Sequence, residues 1–231
     1  VYFDFDNDDR SPLVKSRVSH GEFQDRISPW SYRQLLLEHA DGLILDAETP
    51  EDADVIVYSR AGKGKLAARI ARAVRNGKRL ILYGKPADPK IAALAPAELK
   101  AIPQKGFSKR QSLKVAAGGH SLLKGIRLTG NSFGVYNRAA LKEGASAVLT
   151  FADGSPFLAE RKNVMQINAG IGNRLDESES VFYDRFLLRA IALTSPELGN
   201  ELDQRDRAVR KNRMRDEQKR VQTATEAAGL S

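Results

Sequence analysis

Two short apolar runs on either side of a helical stripe constrain most strongly what this chain can become. Asp54-Val55-Ile56-Val57-Tyr58 and Arg79-Leu80-Ile81-Leu82-Tyr83-Gly84 are continuous, rich in β-branched or aromatic residues, and bounded by charged or turn residues. Continuous rather than alternating apolarity marks strands buried on both faces, as in parallel sheets covered by helices. Between them, Leu66, Ile70, Ala73 and Val74 share one helical face, and Asn76-Gly77 supplies a C-terminal stop. Strand, helix and strand with short connections make a βαβ unit, whose crossover is right-handed.

The pattern extends outward. Val1 to Asp6 reads as a first strand, and Ser28-Pro29-Trp30 opens a helix through Ala40, with Ser28 as N-cap and Pro29 at the first helical position. Gly42-Leu43-Ile44-Leu45 reads as a second strand, and a short helix is expected from Pro89 to Lys100. Ala145–Phe151 and Pro156–Glu160 form a hairpin turning at Asp153-Gly154. Asn163–Ala169 is a further strand, and Ser180–Leu193 a closing helix with Val181, Phe182, Phe186, Leu187 and Ile191 on its buried side. The expected fold class is α/β: a mainly parallel, doubly wound, flavodoxin-like sheet with a C-terminal hairpin extension and a trailing charged helix. The expected division is an α/β domain over 1–195 and a charged helical tail over 196–231.

Composition excludes several classes of function. With no cysteine among 231 residues, disulfides, thiolate zinc sites, iron–sulfur clusters and cysteine nucleophiles are all ruled out. The lack of cysteine is compatible with a bacterial cytoplasm and with export alike. No window holds the roughly 18 apolar residues that span a bilayer. A chain starting at Val1 rather than Met is expected to have lost an initiator Met, a signal peptide or a larger upstream polypeptide. The formal charge is +8, and Asp203–Gln222 holds eight Lys/Arg against four Asp/Glu. About half of the excess therefore sits on the tail.

The second half of the chain carries a resemblance. Gly119-His120-Ser121-Leu122-Leu123-Lys124-Gly125-Ile126 is similar to an H-P-L-x-x-G-(I/L) segment, with Ser121 in place of Pro. Ala139 to Val148-Leu149, followed by Asp153-Gly154-Ser155-Pro156-Phe157-Leu158-Ala159-Glu160-Arg161-Lys162, looks like the hairpin that accompanies it. Together with the element order, these segments resemble non-catalytic members of the class I glutamine-amidotransferase-like superfold over roughly residues 1 to 195. They are similar to domains beside catalytic barrels in β-galactosidase-like glycoside hydrolases, and to the ThuA-like group. In active amidotransferases of this superfold a cysteine stands on a tight turn after a central strand, activated by a histidine that a carboxylate orients. The resemblance places that turn at Tyr83-Gly84-Lys85-Pro86, which holds no thiol, and Pro86 lacks a backbone N–H. The only His-x-Glu triplet, His20-Gly21-Glu22, precedes the first helix.

His120, in a Gly-rich loop, is the candidate catalytic residue, set against the commoner role of a loop histidine bonded to nearby backbone. Asp4, Asp6 and Asp8, with Lys85, are candidate ligand contacts at the carboxyl ends of the strands, where α/β sheets bind ligands. A calcium loop starting at Asp4 fails, because Asp9 and Lys15 occupy the sixth and twelfth positions. The bland alternative for the cluster is a solvated loop that discourages edge pairing. Ala61-Gly62-Lys63-Gly64-Lys65 sits where phosphates are cradled but lacks the P-loop spacing. No metal or cofactor motif is present.

On the tail, Arg207, Arg210, Lys211 and Arg213 are candidate contacts to nucleic acid or a partner. Interleaved acids and missing aromatics favour a solvated, salt-bridged helix, with docking on a partner subunit or another domain of the same polypeptide left open. The leading expectation is a non-catalytic interaction domain that supports oligomerisation or buttresses a neighbouring, carbohydrate-active catalytic domain. The alternatives are a stand-alone hydrolase or sugar-binding protein using His120 with Asp4, Asp6 or Asp46, and a nucleic-acid-associated protein acting through the basic tail.

Overall fold

The computed structural model describes residues 1–5, 13–17, 23–27, 29–40, 42–60, 64–100, 112–124, 126, 128, 137–169 and 185–227. The chain forms two units, Val1–Thr194 and Ser195–Ser231. The first is an α/β unit built on a mixed seven-stranded sheet. Four strands run parallel in the order β1 (Tyr2–Phe5), β4 (Val55–Ser59), β5 (Arg79–Tyr83) and β11 (Val164–Ile167). The sheet continues antiparallel through β10 (Pro156–Arg161), β9 (Ser146–Phe151) and β7 (Leu113–Val115).

The two apolar runs occupy the middle of the parallel half. Ile56, Tyr58, Leu80 and Leu82 point to one face and pack with α2 (Ala67–Arg75) and α3 (Pro89–Leu94). Val55, Val57, Ile81 and Tyr83 point to the other face and are equally buried. Each such side chain contributes about 1.5–3 kcal/mol of burial, which is why these runs are apolar throughout. In α2, Ala67, Ile70, Ala71, Ala73 and Val74 face the sheet, while Arg69, Arg72 and Arg75 are solvent-facing. Asn163 closes its end, its amide donating to the carbonyls of Val74 at 2.8 Å and Lys78 at 2.6 Å.

The opposite face receives α1 (Pro29–Ala40), whose Arg33 stacks 5.6 Å from the centre of the Phe3 ring and pairs with Asp46. It also receives the 3-10 turn Ser121–Leu123, against which α4 (Arg185–Ala192) packs. Phe186, Leu187, Leu188, Ala190 and Ile191 of α4 are buried. The earlier part of the helix expected from Ser180, and the Ser28 cap expected for α1, lie outside the described residues.

Two expectations are corrected. Gly42–Leu45 forms no strand: Gly42 sits at φ +78° and Leu45 is 76% exposed. Just before β1, the Val1 nitrogen donates to Leu45 O and its carbonyl accepts from Ala47 N, both at 2.7 Å. Of its three apolar side chains Ile44 is buried and Leu45 exposed, and among the described residues β1 is the edge of the sheet. The helix expected to reach Lys100 stops at Leu94, because Pro96 forces Ala95 into extended geometry at φ −56°, ψ 136°. Ala97–Lys100 then alternates buried and exposed residues as β6, pairing antiparallel with β8 (Arg138–Leu141) over Ala159. A separate antiparallel pair, β2 (Leu13–Arg17) with β3 (Phe23–Ile27), occupies a stretch where no strand is expected.

The second unit is α5 (Pro196–Ala227), a single helix of 32 residues. Ser195 caps it, its hydroxyl oxygen accepting from Leu198 N at 3.2 Å. Met214 and Val221 are more than half exposed on it. Among the described residues no helix is long and apolar enough to cross a membrane.

Candidate functional site

The carboxyl ends of the parallel strands are where an α/β sheet leaves room for a ligand. The connection after β1 leads to the face carrying α1, and the one after β4 to the face carrying α2. Asp4 and Arg60 meet at the carboxyl ends of β1 and β4. The Arg60 Nε donates to Asp4 Oδ1 at 2.6 Å, with Asp4 almost wholly enclosed and Arg60 29% exposed. Gly64 lets the chain entering α2 pass close by, since a Cβ there would lie 3.3 Å from Asp4 Oδ2. Asp4 is thus a buried, salt-bridged strand residue rather than part of a solvated cluster. Asp6 and Asp8 lie outside the described residues, as do Ala61, Gly62 and Lys63 of the glycine-rich turn.

The turn after β5 follows from its glycine. Gly84 adopts φ +67°, its N–H donates to Ile167 O at 2.8 Å, and its carbonyl accepts from the Gln166 amide at 3.1 Å. The other end of the Gln166 side chain accepts from Ala97 N at 2.9 Å. Both backbone groups of Gly84 therefore serve the fold. Lys85 is exposed and Pro86 buried.

His120 stands elsewhere. Its Nδ1 accepts from Leu122 N at 3.2 Å, capping the 3-10 turn, and its Nε2 lies 2.9 Å from Glu160 Oε2. With Nδ1 accepting, the proton sits on Nε2 and is donated to Glu160. The other Glu160 oxygen receives Arg79 Nη2 at 3.3 Å. Burial lowers the Arg79 pKa, opposed by the neighbouring Glu160 carboxylate. Among the described residues the buried Arg79 Nε has no hydrogen-bond acceptor. Arg79 begins β5 and Glu160 lies near the end of antiparallel β10, so this group marks the amino end of the parallel strands. From Arg79 to Gly84 is about 16 Å of strand.

The structure therefore brings His120 together with Glu160 and Arg79 at the amino end of the parallel strands, and Asp4 with Arg60 at the carboxyl end, where the turn holding Lys85 also lies. Asp46 is engaged by Arg33. Arg207 and Lys211 are exposed on α5, and the side chains of Arg210 and Arg213 lie outside the described residues. Among the described residues no three His, Cys, Asp or Glu side chains gather as metal ligands do. Glu160, Arg79 and Arg60 were not singled out from sequence. The one available signal was a charged residue at the boundary of an otherwise apolar strand.

No protein-family model matches this chain, and no curated protein does. Among solved structures it is similar to two cytoplasmic proteins of Salmonella typhimurium. The first is 13% identical with a TM-score of 0.49, over 84% of this chain and 96% of that one. The second is 14% identical with a TM-score of 0.49, over 86% and 98%. A β-galactosidase of the psychrophilic Marinomonas ef1 is 14% identical with a TM-score of 0.41, over 74% of this chain and 25% of that one.

Proposed function

We propose that this chain is a non-catalytic α/β interaction module of the amidotransferase-like kind, which engages a second copy of itself or buttresses a neighbouring catalytic domain. The observation that carries this reading is the bonding of His120. Both of its ring nitrogens are in use, one on backbone and one on Glu160, so neither is available to take a proton from a nucleophile. The turn after β5 adds no alternative, since it offers Gly84-Lys85-Pro86 with the Gly84 backbone already committed. Exposed apolar residues support an interaction role: Val115 on the edge strand β7, and Met214 and Val221 seven residues apart on α5.

The test compares the wild-type chain with His120→Ala for hydrolysis of glutamine and of aryl glycosides. The reading expects no turnover above background from either protein. Turnover by the wild type that disappears in His120→Ala would overturn it in favour of a hydrolase.

A further inference from the structure

A cavity of 480 Å³ opens at the amino end of the sheet, away from both the Asp4–Arg60 pair and the turn after β5. Its walls are the last turns of α2 and α3, the β8–β9 turn and the β10–β11 turn. Val74, Leu94 and Val164 give it an apolar side, and Arg75, Arg161 and Lys162 stand against the single carboxylate of Glu143. The size is ordinary for a small-molecule site, as is an apolar wall with a few convergent polar groups.

Helix carboxyl ends usually repel anions. Here their carbonyls are already answered from within the fold. Lys142 Nζ donates to Ala92 O at 2.5 Å, and Arg161 Nη2 donates to Ala93 O at 2.8 Å and Leu94 O at 3.0 Å. Asn163 does the same for Val74 and Lys78. Arg161 uses one of its nitrogens in this way, and among the described residues Arg75 and Lys162 form no ion pair or side-chain hydrogen bond. Burial chiefly, helped by the charge of Arg161 and opposed by Glu98, lowers the Lys142 pKa.

Lys162 adds an independent observation. It is the one non-glycine residue with positive φ among the described residues, at +55°. A two-residue hairpin turn with that geometry is the natural place for glycine, and an L-residue adopts it at a steric cost. A strained residue whose side chain lines a basic cavity points to a task for that side chain.

We propose that this cavity binds a small organic anion, a phosphate or carboxylate carried on a hydroxylated body. Arg75, Arg161 and Lys162 hold the anionic group, and Glu143 accepts from a hydroxyl. The site is independent of the interaction role proposed above.

Titration calorimetry on the full chain tests this with inorganic phosphate, glucose 6-phosphate and glucuronate as probes. Saturable binding of one of the two organic anions is expected, and which one binds identifies the anionic group. Lys162→Gly removes the cation and relieves the strained turn, so it should weaken binding at least tenfold without lowering Tm. Arg75→Ala should weaken binding similarly, while Arg72→Ala, on the outer face of α2, should leave affinity within twofold. Absence of saturable binding for all three probes overturns the proposal. So does binding that Lys162→Gly and Arg75→Ala leave unchanged.

Discussion

The carboxylate of Glu160 bridges His120 Nε2 at 2.9 Å and Arg79 Nη2 at 3.3 Å, joining a loop to two strands of the sheet. This bridge fastens the 3-10 turn, and with it the surface against which α4 packs. Removing His120 leaves a partly buried carboxylate short of a donor and the Leu122 N–H short of an acceptor. His120→Ala is expected to destabilise the first unit by about 1–3 kcal/mol in urea unfolding. In a double-mutant cycle, Glu160→Gln and His120→Ala should show a coupling of about 1 kcal/mol, and additive effects would refute a direct bond.

Arg60 neutralises the enclosed Asp4. Arg60→Met should cost about 2 kcal/mol, less than for a fully enclosed pair because the guanidinium remains partly exposed. Replacing both residues, as Asp4→Leu with Arg60→Met, should be less damaging than Arg60→Met alone, because no uncompensated charge stays buried. Equal midpoints for the single and double variants in denaturant would contradict this account of the pair.

Much of the fold was legible where burial leaves a regular trace. Val55–Ser59, Ala67–Arg75 and Arg79–Tyr83 were readable because two-sided burial demands continuous apolarity and one-sided burial demands helical spacing. Asp153-Gly154 announced its hairpin through the φ of +82° that Gly154 adopts. The failures have local physical causes. Leu43, Ile44 and Leu45 look like a strand in composition, yet among the described residues they join no sheet, and Leu45 O bonds the Val1 nitrogen. β6 was hidden behind Pro96, whose effect on Ala95 outweighed the helical composition around it. Of the candidate site, His120 was visible as a residue but its partner was not. Glu160 lies 40 positions away, and periodicity carries no trace of a contact across that distance.

Gly84 supplies a test of the turn after β5. A Cβ there would meet Ala169 O at 3.7 Å, an ordinary contact, so only the backbone conformation opposes a side chain. Gly84→Ala should therefore cost about 1 kcal/mol in equilibrium unfolding. A loss several times larger would mean that the turn is packed against more than Ala169.

The depressed pKa of Lys142 has a defined consequence for stability. Where the folded value lies below the unfolded one, the unfolded chain binds the proton more readily, and the folded state carries a penalty at lower pH. That penalty is relieved as pH rises through the folded value toward the ordinary 10.5. Relative to Lys142→Met, the wild type should gain stability across this alkaline window, measured as the difference in Tm at each pH. A difference that is flat or falls with pH would contradict the assignment.

The central claim is that His120 serves the fold of a module made for association. Sedimentation equilibrium of the wild-type chain and of His120→Ala, over a range of concentrations within which both remain folded, tests it most directly. The account predicts a reversible self-associated species with the same association constant for both proteins. A wild-type chain that remains monomeric at every concentration would remove the self-association arm and leave only a neighbouring domain as partner, and an assembly that tracks the His120 side chain would contradict the account.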